Sequence, residues 1–121
     1  MVSTYRLRLV ASGLLIISAV THTLQVFMYG EAGYNIGAAV YGAMYLFLGI
    51  GLIRYLDKRG LVALCVILPL IGGVGGVIRF LFIHTHTANY FIILHVLIDL
   101  VVVPVSLYLY RNMGLGVSQP M

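Results

Sequence analysis

Four ionisable side chains, His22, Arg79, His95 and Asp99, stand inside runs that are otherwise almost wholly apolar. An ionisable group in apolar surroundings is costly to keep, so each such position is a site hypothesis by default. Their spacing gives them company. Ser18, His22, Gln25 and Tyr29 follow steps of four and three residues and would share one face of a helix. So would His95, Asp99, Val102 and Ser106. Cys65, Gly72, Gly76 and Arg79 form a third such face, and Tyr34, Ala38, Tyr41, Tyr45 and Tyr55 a fourth. If these faces turn inward, His22, Gln25, Tyr41, Tyr45, Arg79, His95 and Asp99 surround one interior site.

The residue types define the chemistry open to such a site. Two imidazoles on different helices, His22 and His95, are a ligand set that holds haem iron from both sides, so haem b is the first cofactor expectation. Asp99 lies one helical turn after His95 and is placed to orient its ring. Arg79 can pair with Asp99 or with porphyrin propionates. The same histidines and tyrosines can instead hydrogen-bond a quinone head group. His84 and His86, together with His22, His95 or Glu31, supply nitrogen and oxygen ligands suited to copper or zinc. Glycines gather at Gly72, Gly73, Gly75 and Gly76, and again at Gly37, Gly42, Gly49 and Gly51. They offer a smooth surface to a flat ligand or to a neighbouring helix.

The elements that must position these groups follow from composition. Of the 121 residues, 62% are hydrophobic and 8% charged, and the mean hydropathy is +1.09. In ordinary soluble domains about a quarter of residues are charged. An apolar surface of this extent would aggregate in water. A bilayer core of roughly 30 Å takes about 20 apolar helical residues to cross. Stretches at about 7–29, 33–56, 61–83 and 90–110 reach that length. Lipid leaves backbone groups no outside partner, so the stretches are expected to be helices. The expected fold is an all-α integral membrane protein, a single four-transmembrane-helix domain over residues 1–121 with an irregular tail at 112–121. Short links force neighbouring helices antiparallel, which predicts an up-down-up-down bundle.

Orientation follows from the basic residues. Arg6, Arg8, Arg54, Lys58, Arg59 and Arg111 all fall on one side if the N and C termini and the middle link are cytoplasmic. Glu31 and the loop holding His84 and His86 then lie on the non-cytoplasmic side of a multi-pass protein. The apolar run after Arg6 and Arg8 is read as a retained first span rather than a cleaved signal peptide. The basic pI near 9.5 is explained by topology, and nucleic acid is rejected as a partner. The lone Cys65 excludes an internal disulfide and any CxxC motif.

Each feature also has a plain reading. Polar side chains join membrane helices by hydrogen bonds, and glycines let them pack closely. His84 and His86 can be a solvated loop. The functional expectation is a small electron-transfer subunit of a respiratory complex, binding haem b or a quinone in the outer half of the bundle. The alternatives are a non-catalytic accessory subunit working with other membrane subunits or as a homo-oligomer, and a proton- or metal-coupled transporter. No nucleophile with a paired base stands out, so the chain is not expected to be an enzyme on its own.

Overall fold

The computed structural model describes residues 3–29, 33–83 and 90–114. Among these residues run four α-helices: α1 (Thr4–Tyr29), α2 (Gly33–Arg54), α3 (Arg59–Ile78) and α4 (Tyr90–Gly114). The end of α3 continues as a π-helical turn, Arg79–Ile83. All four helices are long and apolar enough to cross a membrane.

The helix ends are set by polar groups that hydropathy alone does not locate. Ser3 precedes α1, and its Oγ accepts the Arg6 N–H at 3.2 Å, a side-chain cap on an otherwise unserved donor. The Arg8 guanidinium donates to the carbonyls of Leu52 at 2.8 Å and Leu56 at 2.9 Å. The last carbonyls of a helix lack intrahelical donors and carry its negative dipole end, so a cation there serves α2 twice. Arg8 is therefore buried, only 6% exposed. Helix α4 also runs past the expected end at residue 110. Asn112 Nδ2 donates to the Tyr108 carbonyl at 2.8 Å, and Met113 packs against the core. A span ends where lipid ends, whereas a helix continues as long as its groups are satisfied. Residues 112–114 of the expected tail are thus helical, and 115–121 lie outside the described residues.

The helices pack as two close pairs, α1 with α2 and α3 with α4, joined chiefly where α1 meets α4. Contact between α2 and α3 is the slightest of the neighbouring pairs. Glycine makes the close approach of α1 and α2 possible. A Cβ on Gly42 would stand 2.7 Å from the Cβ of His22, and one on Gly49 would stand 3.0 Å from Ile16 Cγ1. Beside the second contact, Ser12 Oγ donates to the Gly49 carbonyl at 2.5 Å. The core between the helices includes Leu15, Tyr45, Leu52, Val62, Cys65 and Leu109. Phe27, Phe47 and Phe82 are each more than three-quarters exposed, at 80%, 78% and 77%. Large aromatic side chains on the outside of a helical bundle are what an apolar surrounding medium favours.

Candidate functional site

Ser18, His22 and Gln25 on α1 and His95, Asp99 and Ser106 on α4 are all buried, so both polar faces do turn inward. The imidazoles of His22 and His95 stack face to face, with centroids 3.6 Å apart and planes 8° from parallel. Phe91 lies nearly parallel to His95 at 6.3 Å, and Tyr45 meets the edge of His22 at 5.6 Å.

Their hydrogen bonds assign different roles to the two rings. His22 Nδ1 lies 2.7 Å from the Ser18 carbonyl, which can only accept, so Nδ1 carries the proton. His22 Nε2 is then the lone-pair nitrogen. In His95, Nδ1 lies 3.2 Å from the Gln25 amide nitrogen and accepts its proton. His95 Nε2 then holds the ring proton and donates to Thr21 Oγ1 at 2.6 Å. The Thr21 hydroxyl donates in turn toward the carbonyls of Ile17 and Ser18, at 3.0 and 3.1 Å. Both nitrogens of His95 are thus engaged with α1.

This differs from the sequence expectation that Asp99 orients His95. The carboxyl turns toward α2 instead, where Tyr45 donates to Asp99 Oδ1 at 2.8 Å. An i, i+4 spacing puts two side chains on one face, but a donor on a facing helix competes for the same oxygen. Tyr41, one turn before Tyr45, donates its hydroxyl to the Leu68 carbonyl and so ties α2 to α3.

A cavity of about 350 Å³ lies against this cluster, lined by His22, Tyr41, Arg79, His95 and Asp99 together with glycines of α2 and α3. A Cβ on Gly37 or Gly75 would meet nothing within 4 Å, so the missing side chains there are space. Gly72 is different: a Cβ on it would reach 2.8 Å from both the Tyr41 ring and the Tyr45 hydroxyl. Arg79 opens the π-helical turn, and its N–H meets the carbonyls of both Gly75 and Gly76. Such turns recur at functional sites because they re-aim side chains within a helix.

Of the residues singled out from sequence, His22, Tyr41, Arg79, His95 and Asp99 line one cavity, while Tyr45 and Gln25 support Asp99 and His95 from behind. His84 and His86 lie outside the described residues. Among the described residues, no three His, Cys, Asp or Glu side chains gather as a metal-holding group. Haem held between His22 and His95 needs each ring to aim a nitrogen at one iron from opposite faces of the macrocycle. Rings stacked 3.6 Å apart leave no room for a macrocycle between them, and both His95 nitrogens already have partners. Thr21 was missed. It stands three residues after Ser18 and four before Gln25, so a second walk along the same helix face includes it.

No family model matches the sequence, and no curated protein or solved structure shows significant similarity to it.

Proposed function

We propose that this chain is a multi-pass membrane protein that binds a quinol or quinone head group in the cavity beside His22, Arg79, His95 and Asp99, as a subunit of an electron-transfer assembly. The carrying observation is the donor and acceptor pattern of that cavity. Arg79 offers only donors, whereas His22 Nε2 and the Asp99 carboxyl offer acceptors. A quinol has an oxygen at each end of a flat ring. One hydroxyl can donate to His22 Nε2 and the other to the Asp99 carboxyl, while either oxygen can accept from Arg79. The glycine backbone supplies a smooth wall for the ring, and about 350 Å³ falls within the roughly 300–1,000 Å³ of small-ligand pockets. The stacked histidines favour this smaller ring over haem b.

Oxidation of a bound quinol to the quinone releases two electrons and two protons. The electrons would pass to a partner subunit carrying a redox group, and the protons to His22 Nε2 and the Asp99 carboxylate. The reading includes an up-down-up-down bundle with cytoplasmic termini and the His84 loop on the opposite side. Residue pairings that reverse in order support it for α1 and α2: Arg8 with Leu52, Ser12 with Gly49 and Ala19 with Gly42. The distribution of Lys and Arg supports the sidedness.

The test is to purify the protein mildly and analyse what it carries. An organic extract containing near-stoichiometric quinone supports the reading. A Soret band that sharpens on dithionite reduction would replace it with haem. A clean spectrum and a quinone-free extract, with other subunits co-purifying, would leave an accessory role.

A further inference from the structure

A second cavity, of about 540 Å³, lies between α3 and α4, bordered by Pro69, Gly73, Val77, Val96, Asp99 and Pro104 among others. Asp99 is the only ionisable side chain lining it among the described residues, and Asp99 also lines the polar cavity. An almost wholly apolar cavity and one that carries several polar groups therefore share one carboxyl group. Gly73 packs directly against this shared residue. A Cβ on Gly73 would stand 3.3 Å from Asp99 Cβ and 3.6 Å from Oδ2, so at this point α3 presents only backbone to the carboxyl. Pro69 and Pro104 border the groove from opposite sides. Each lacks an N–H and crowds the preceding turn, which loosens its helix where the two face each other. From Pro69 to Ile78 the groove follows α3 for roughly 14 Å.

We propose that this groove takes the hydrocarbon tail of the same ligand whose head group occupies the polar cavity, so that the ligand is a long-tailed membrane quinol rather than a water-soluble one. The inference rests on the reading of the polar cavity given above. The shared carboxyl selects this occupant. An ordinary acyl chain would cover the apolar residues but add no hydrogen-bonding group to Asp99 beyond the Tyr45 hydroxyl that already serves Oδ1, whereas a quinol oxygen can serve the other carboxyl oxygen. An amphiphile places its oxygen at Asp99 and runs its chain along Val74, Val77 and Val103. Lipid tails are as apolar as the groove, so the tail adds affinity through fit rather than through transfer from water.

The test measures binding of two benzoquinols, one without a tail and one with a decyl tail, to the full chain in lipid nanodiscs. Affinities are compared at equal mole fraction in the bilayer, which removes the effect of partitioning. The decyl quinol should bind about tenfold more tightly. Val77→Phe and Val103→Phe narrow the groove and should abolish most of that advantage while leaving the tail-less quinol within about twofold. Leu107→Phe, on α4 outside the groove, should change neither. Equal affinity of the two quinols in the native protein overturns the tail assignment and leaves the head-group reading standing, and this comparison needs no variant to fold. Unchanged decyl affinity in both groove variants also overturns it, the groove then being filled by bulk lipid. Saturable binding of neither quinol removes the head-group reading, and the tail assignment falls with it.

Discussion

At the scale of single residues, the site is a set of buried polar groups whose partners come from other helices. Tyr45 is fully buried and its hydroxyl reaches Asp99 across the bundle at 2.8 Å. Tyr45→Phe keeps the ring and removes the bond. Interhelical hydrogen bonds between membrane helices average about 0.6 kcal/mol and reach about 1.7. The variant should lower stability by about 1 kcal/mol in a denaturant titration in detergent, and an unchanged midpoint would show that this bond contributes nothing net. Arg8 carries more, because it serves the Leu52 carbonyl in the last turn of α2 and the Leu56 carbonyl just past it. Arg8→Met retains an apolar stem and leaves those carbonyls unserved, at a cost of about 2–3 kcal/mol read in the same titration. The sequence made the costly residues visible, since His22, Arg79, His95 and Asp99 stand out against apolar neighbours. It did not reveal partners. A carboxyl four residues from a histidine and a tyrosine on another helix compete for one bond, and only the packing decides between them. Arg8 gave its partners away no better: a basic residue near a span end looks the same whether it meets water or a neighbouring helix.

At the scale of elements, glycines decide how near the helices come and hence where the histidines sit. Gly42 allows α1 to bring His22 against α2, because a Cβ there would overlap His22 Cβ at 2.7 Å. Gly42→Ala should push the two helices apart and destabilise the fold by about 1–3 kcal/mol, as overpacking does. Gly13, also on α1, has nothing within 4 Å of its absent Cβ. Gly13→Ala should be neutral or stabilising by up to about 1 kcal/mol, because it removes only backbone freedom. Parallel melting of the two variants separates close packing from a general intolerance of α1 to alanine. The helices themselves were legible, because runs of about 20 apolar residues have few other folds open to them. Their ends were less so. Hydropathy locates the edge of an apolar run, whereas Ser3, Arg8 and Asn112 set the helix ends through hydrogen bonds. The π-helical turn at Arg79 had no sequence signal that periodicity could detect.

At the scale of the whole molecule, α3 contributes least to the interior, burying Val62, Cys65 and Pro69. It also borders both cavities. Burial inward is slight because α3 makes slight contact with α2, and this leaves the cavity beside Tyr41 and Arg79. Sidedness is testable on the intact protein. In a Cys65→Ser background, single cysteines placed near each terminus and between residues 84 and 89 can be labelled with a membrane-impermeant reagent in oriented vesicles. The terminal positions should react from the cytoplasmic face and the loop position from the other. Labelling of all three from one face would contradict the up-down arrangement. The central claim, that the polar cavity holds a quinol head group, is tested most directly by equilibrium titration of the reconstituted protein with a tail-less benzoquinol, alongside Arg79→Gln and His22→Ala. The expected result is saturable binding to the native chain, weakened about tenfold or more in each variant, as loss of a charge-assisted or buried hydrogen bond requires. Saturable binding that neither substitution alters, or no saturable binding at all, would contradict it.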